Sequence, residues 1–273
     1  MVSSLLGCKK KPHFLVLAGD GINCEQETKL GFERAKAQVT VMHINELLSR
    51  PKRLRDFQGL AFPGGFSFGD ELGSGQVLAI KCKQGLKDEL SKFVEQENPI
   101  IGICNGFQTL LKLGLLPFPG EERKVGLAPN REGTFQNYWV KLKPASSKSV
   151  CLWTEGLFEK GSTSEFELPL RNREGRITFL KGIEDQIYDN LLRNGQIPLV
   201  YSDKSRPLSL LKHESIAGLC DPKGLIFGLM PHPEAFLFEA THRIHYKTRS
   251  KNPTQKGWGQ EIFDNIVNFL ERS

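Results

Sequence analysis

Short apolar runs alternate along this chain with stretches whose apolar residues recur every three or four positions, the pattern of strands alternating with helices. His13-Phe-Leu-Val-Leu-Ala18 reads as a first buried strand that stops at Gly19-Asp-Gly21. The pattern predicts a helix over 24–37, a second strand over 39–44 and a third over 59–62, with a helical or irregular connection between the last two. Leu86, Leu90, Phe93, Val94 and Glu97 mark a further helix leading up to Pro99. Ile100, Ile101 and Ile103 then form a fourth strand, and Phe107, Leu110, Leu111 and Leu115 resume helical spacing. From 116 to 215 the pattern loosens into prolines, glycines and strand-like runs such as 136–142 and 175–180, expected as β-rich insertions around the sheet. Runs at 216–220 and 225–230, joined by Asp221-Pro-Lys-Gly224, predict a hairpin, and Ile262, Phe263, Ile266, Val267 and Leu270 predict a closing amphipathic helix. Strands alternating with helices imply a mostly parallel sheet, and no repeat or linker divides residues 1–273, which read as one domain.

The turn between the fourth strand and its helix falls on Gly102-Ile-Cys-Asn-Gly106, with Cys104 at the apex. This has the form of the G-x-S-x-G nucleophile elbow with sulfur in place of oxygen. In that elbow the flanking glycines are needed because the strained turn brings neighbouring backbone too close for side chains. Unpaired amides and the helix dipole favour the thiolate of a cysteine so placed. The alternative, a small buried hydrophobe, describes most free cysteines, but the flanking glycines favour a nucleophile.

Such a nucleophile needs an imidazole for its proton and a carboxylate to orient the imidazole. Pro231-His-Pro-Glu234, directly after an apolar strand, supplies both. Alternation with proline predicts an extended segment with His232 and Glu234 on the same side. Acyl transfer further needs donors for an oxyanion. The backbone amide of Asn105 is one candidate, and the Gly64-Gly65 pair in the loop Pro63-Gly-Gly-Phe-Ser-Phe-Gly-Asp-Glu-Leu-Gly-Ser-Gly75 offers the other. That loop lacks Gly-Lys-Ser/Thr and is no nucleotide P-loop. His242 and His245 could share a helical face as metal ligands, but no accompanying cysteine or carboxylate signature supports a site, and they read as surface histidines. His13 and His43 read as structural or edge residues.

Composition adds exclusions. The 37 basic and 31 acidic residues are interspersed, the formal charge is +6, and the longest basic run is Lys9-Lys10-Lys11. With no ribonucleoprotein or zinc-finger pattern, no nucleic-acid partner is expected. The six cysteines, at 8, 24, 82, 104, 151 and 220, form no C-x-x-C pair, which fits a reducing cytoplasmic location. Leu5-Leu6-Gly7-Cys8 resembles a lipoprotein cleavage box, but a working signal needs an apolar region of roughly 7–15 residues, and too few precede it here. No apolar run reaches the length of a membrane span.

Taken together, these residues resemble the class I glutamine amidotransferases, in which a Gly-x-Cys-x-Gly elbow and a later His-x-Glu make a Cys-His-Glu triad. Gly102-Ile-Cys-Asn-Gly-Phe-Gln-Thr-Leu110, Phe62-Pro-Gly-Gly-Phe-Ser-Phe-Gly-Asp70 and Met230-Pro-His-Pro-Glu234 are similar to the branch that serves purine biosynthesis, with further echoes at 23–28 and 127–135. The resemblance covers nearly the whole chain. It implies a flavodoxin-like α/β fold, an open, mostly parallel sheet with helices on both faces and the site at the carboxyl ends of its strands. It also implies glutamine hydrolysis through a thioester on Cys104, with His232 shuttling protons and Glu234 orienting it. Gly65 and Asn105 would donate to the oxyanion, and Gly64 and Gln108 would line the glutamine site. No metal or cofactor is expected in this chain. Ammonia would pass to a synthetase subunit that uses ATP and magnesium, with a small accessory subunit as a further partner. Three segments depart from that branch: Asn172-Arg173 in place of a His-Gly pair, Leu211-Lys-His-Glu-Ser215 in place of Asn-Pro-Asn-Gly-Ser, and Ala235 in place of arginine. The other readings are a glutaminase serving a different synthetase, a catalytically silent binding or regulatory protein of the same fold, and a stress-type cysteine hydrolase that needs neither Glu234 nor glutamine.

Overall fold

The structure, a computed structural model, describes residues 11–158, 165–202, 212–244 and 255–272. Its strands are β1 (His13–Ala18), β2 (Gln38–His43), β3 (Gly59–Phe62), β4 (Ile100–Ile103), β5 (Val125–Pro129), β6 (Gln136–Lys143), β7 (Phe166–Asn172), β8 (Glu174–Phe179), β9 (Leu199–Tyr201), β10 (Ile216–Cys220) and β11 (Ile226–Leu229). The main sheet has nine strands in the order β2-β1-β3-β4-β11-β10-β9-β6-β7, and β5 and β8 form a separate ladder. Pairing is parallel from β2 through β11 and antiparallel from β11 to β7. Every residue of β3, β4 and β11 is buried, as expected of parallel strands covered on both faces.

The covering helices are α1 (Glu25–Arg34), α2 (Ile44–Ser49), α3 (Gln76–Gly85), α4 (Lys87–Glu95), α5 (Asn105–Leu113), α6 (Glu184–Arg193) and α7 (Trp258–Arg272). On one face Phe14 of β1 stacks on Phe32 of α1 at 4.1 Å between ring centroids, and Phe32 meets Phe263 of α7 edge-on at 4.9 Å. Gly59 of β3 pairs with Phe14 and shares that face. Phe62, three residues on, points the other way, and its register partner Gly102 pairs in turn with Gly228. This second face receives α5. A methyl group at Gly228 would run into the Phe107 ring, and one at Gly102 would stand 2.6 Å from Leu110 Cδ1. Glycine at these positions therefore lets the helix that follows Cys104 lie directly on the sheet.

The β1, β3, β4, hairpin and carboxyl-terminal helix expectations match the chain closely, and several boundaries shift. The first helix is shorter than 24–37, and Ile44 opens α2 instead of ending β2. α3 was not predicted, because only Leu78, Ala79 and Cys82 of its ten residues are buried and no clear apolar stripe results. β5, β7, β9 and α6 were also missed. Pro169 inside β7 argues against an interior strand, and β7 is indeed the sheet edge. β6, β7 and β9 extend the main sheet itself, where insertions around it were expected. Among the described residues no helix is long and apolar enough to cross a membrane. The lipoprotein-like box at 5–8 lies outside the described residues.

Gly106, at the start of α5, faces the Phe62 carbonyl so closely that an added methyl group would overlap it. Gly106→Ala is expected to destabilise the fold by about 1–3 kcal/mol through overpacking, read as a lower urea midpoint at unchanged slope. An unshifted midpoint would contradict this account of how α5 is seated.

Candidate active site

Cys104 stands between β4 and α5 with φ 51° and ψ −105°, a conformation that holds about 1–3 kcal/mol of strain in a residue with a side chain. Its surroundings impose it. The Cys104 N–H donates to the Leu229 carbonyl at 2.8 Å, and the Cys104 carbonyl accepts from Gln108 N–H at 3.1 Å. Cys104 is 6% exposed, and its thiol donates to the Arg171 carbonyl at 3.4 Å. Asn105 is the first residue of α5, so its backbone N–H has no acceptor within the helix.

β11 delivers the chain to His232, whose N–H donates to the Pro169 carbonyl at 2.8 Å. The predicted extended segment is corrected in part. His232 is extended, but Pro233–Ala235 form a 3₁₀ turn, and that turn swings the Glu234 carboxylate back to His232. Nδ1 and Oε1 stand 2.6 Å apart, with both residues only 3% exposed. Burial opposes a charge on His232. The Glu234 carboxylate and the neighbouring Cys104, with the hydrogen-bonding reach of the Cys104 and Cys24 thiols, outweigh burial and hold the imidazole well above its ordinary pKa. His232 Nε2 has no hydrogen-bond partner.

The glycine-rich loop closes over this pair. A methyl group at Gly64 would stand 2.8 Å from His232 Cε1 and 3.3 Å from Cys24 Sγ, so only glycine lets the loop lie on the ring. Gly65 has φ +142°, and a methyl group there would come within 2.6 Å of the Gly21 carbonyl. A buried polar network fastens the loop to the elbow. The Asn105 side-chain oxygen accepts from Ser67 Oγ at 2.6 Å and Ser67 N–H at 3.2 Å. Its Nδ2 donates to Asp70 at 2.9 Å and to Gln108 Oε1 at 3.1 Å. Gln108 Nε2 in turn donates to the Glu174 carbonyl at 2.6 Å, so both ends of its amide are held within the protein. Burial raises the Asp70 pKa, against bonds from Ser74, Asn105 and Gly75 that lower it.

Cys104 and Asn105 thus share the elbow, with Gln108 in the first turn of α5, while Gly64 and His232 are in contact and Glu234 is bound to His232. Sequence reasoning passed over Ser67 and Asp70, which buttress Asn105, and over Cys24. Cys24 Sγ, a His232 ring nitrogen and a Glu234 carboxylate oxygen lie within 4.8 Å of one another, a set able to hold a metal ion. The Asn23-Cys24 and Phe-Ser-Phe-Gly-Asp motifs were visible, but nothing local said that they converge on His232 and Asn105. The other described histidines lie elsewhere. His13 bonds Thr40 on β2 at 2.9 Å, and His43 accepts from Asn45 N–H at the start of α2. His242, expected at the surface, is mostly covered, with its ring edge-on to Trp139 and bonded to Glu167 at 3.1 Å. His245 lies outside the described residues. Of the departing segments, Asn172 is buried and Ala235 lies in the 3₁₀ turn after His232. Glu214 is buried in a triad with Arg131 at 2.9 Å and Arg176 at 3.1 Å. Leu211 is outside the described residues.

A strained cysteine beside a buried imidazole–carboxylate pair, set at the end of an α/β sheet, is an arrangement suited to acyl transfer, and comparison gives the class. The family model described as the CobB/CobQ-like glutamine amidotransferase domain matches residues 11–270, and the chain is a glutamine amidotransferase. Among its relatives, the phosphoribosylformylglycinamidine synthase subunit PurQ of Methanococcus maripaludis strain S2 is 38% identical, covering 97% of this chain and 99% of its own length. The subunit of the same name from Dehalococcoides mccartyi is 36% identical over 94% and 97%. A chain in the structure of PurLQS from Thermotoga maritima superposes with a TM-score of 0.70 at 27% identity, covering 95% of this chain and 99% of that one. The chain belongs to the PurQ family.

The raised His232 pKa has a consequence for stability. A group protonated more tightly in the folded state contributes fully below its unfolded value, about 6.5, and that contribution is lost as pH rises through the higher folded value. The stability advantage of the wild type over His232→Gln is therefore expected to be greatest below about pH 6.5 and to shrink toward alkaline pH, as measured by urea denaturation across pH. An advantage that grows with pH would contradict the protonated pairing.

Proposed function

We propose that this chain is the glutaminase subunit of a phosphoribosylformylglycinamidine synthase, hydrolysing glutamine through a Cys-His-Glu triad and releasing ammonia to a synthetase subunit in purine biosynthesis. The observation that carries the triad is the 2.6 Å His232–Glu234 bond, buried beside a cysteine held at positive φ.

The chemistry follows from the placement of the groups. His232, held well above its ordinary pKa beside Glu234 and Cys104, keeps the proton that the Cys104 thiol gives up, which leaves a thiolate–imidazolium pair. The thiolate attacks the glutamine carboxamide, and the backbone N–H groups of Gly65 and Asn105 receive the developing oxyanion. His232 then returns the proton to the departing nitrogen, ammonia leaves, and a γ-glutamyl thioester remains on Cys104. Water activated by the same imidazole releases glutamate. Glu234 holds the tautomer and orientation of His232 throughout. Gly64 and Gln108 form part of the wall of the glutamine site, with Gln108 set by its own bonds to Asn105 and Glu174. The synthetase binds ATP and magnesium and uses the ammonia to convert formylglycinamide ribonucleotide to its amidine. A small accessory subunit completes the assembly, in the cytoplasm. The near-full-length likeness to PurQ subunits supports this acceptor over that of another synthetase.

Glutaminase activity with and without the synthetase, repeated on Cys104→Ser, tests the assignment. The substitution is expected to lower glutamine-dependent turnover by at least about 10³-fold, while the complex still works with free ammonia. Retained glutamine-dependent turnover in Cys104→Ser would overturn it.

A further inference from the structure

Behind Gly64, three side chains meet in a combination that amide hydrolysis does not call on. Cys24 Sγ, a ring nitrogen of His232 and a carboxylate oxygen of Glu234 lie within 4.8 Å of one another. Sulfur, imidazole and carboxylate are the three donor types that zinc takes. A second observation points the same way. Glu234 Oε2 is buried without a hydrogen-bond partner, whereas nearly all buried polar atoms have one. The Cys24 thiol donates to Asn23 Oδ1 at 3.3 Å. Cys24 is half-buried, in contrast to the other two residues, and gives an ion a way in from solvent.

We propose that Cys24, His232 and Glu234 form a site for a thiophilic divalent cation, zinc foremost, and that its occupancy arrests the glutaminase. Binding forms one bond each to sulfur, nitrogen and oxygen. The thiol proton and the imidazolium proton on the ligating nitrogen leave to solvent, and no oxidant or reductant is required. Ligand atoms of a tetrahedral zinc stand about 3.3 Å apart at zinc–nitrogen distances of about 2.0 Å. If Nδ1 is the ligand, the 2.6 Å contact with Glu234 opens on binding. The fourth position is left to water. An imidazole held by the ion, with its orienting carboxylate drawn away, can neither take the Cys104 proton nor return it to the leaving ammonia. Only this inhibitory consequence rests on the triad proposed above. The binding site itself does not.

The full chain is titrated with zinc against a chromophoric chelator, and with cobalt as a spectroscopic stand-in, for the wild type, Cys24→Ala, Cys24→Ser and Cys104→Ala. The wild type and Cys104→Ala are expected to bind one ion with sulfur-to-cobalt absorption. Both Cys24 variants should bind at least tenfold more weakly and lose that band, with an unchanged far-ultraviolet circular dichroism spectrum. Zinc should also arrest glutamine-dependent turnover of the synthetase complex, reversibly on adding chelator. Absence of stoichiometric binding in the wild type, binding in the Cys24 variants as tight as in the wild type, or loss of binding in Cys104→Ala would each overturn the site. Zinc that binds through Cys24 but leaves turnover unaffected would uphold the site and count against the triad.

Discussion

The contact on which the rest depends is the close seating of α5 on the sheet. Gly102, Gly106 and Gly228 remove the side chains that would hold that helix away from β3, β4 and β11. The chain must then turn from strand to helix within a single residue, and Cys104 takes up that turn at positive φ. Strain at this position is stable only because the parallel strands on either side are completely buried and hydrogen-bonded in register. The same geometry leaves the first amides of α5 without helical acceptors beside the thiol. A strained thiol and unpaired amides beside it are thus two outcomes of one packing constraint.

A second constraint is electrostatic. Burying an imidazole–carboxylate pair is costly unless the geometry is good and the partner is retained. Here a 3₁₀ turn and the Pro169 carbonyl set the pair, and the flat face of Gly64 lies on the ring. The loop that carries Gly64 is itself tied to the elbow through Ser67, Asp70 and Asn105, so the walls of the site share one polar network. Such a network ties the position of the Gly64-Gly65 amides to that of Cys104, a placement that would suit an oxyanion hole drawn from two separate segments.

Much of this was legible along the chain because its causes are local. An apolar run broken by Gly-x-Cys-x-Gly can be read without knowing any contact, and so can His-Pro-Glu after a strand. The parallel half of the sheet followed from uninterrupted apolar segments separated by helical spacing. What escaped was tertiary. α3 has too little buried surface to mark its periodicity, and β7 carries a proline that only an edge position tolerates. Cys24 follows β1 far from the elbow, and only the assembled sheet brings it beside His232. Asp70 likewise gains its role from Asn105, 35 residues away. The turn at Pro233 that closes the His232–Glu234 pair replaced an extended path, because proline is as well suited to opening a tight turn as to an extended segment.

The central claim is that acyl transfer passes through Cys104, and the most direct measurement is to trap the intermediate. The complex turning over glutamine is quenched in acid, digested and mapped by mass spectrometry. A γ-glutamyl adduct, labile to hydroxylamine, is predicted on the peptide that contains Cys104. Rapid glutamine hydrolysis with no adduct there, or with the adduct on another cysteine such as Cys24, would contradict the account.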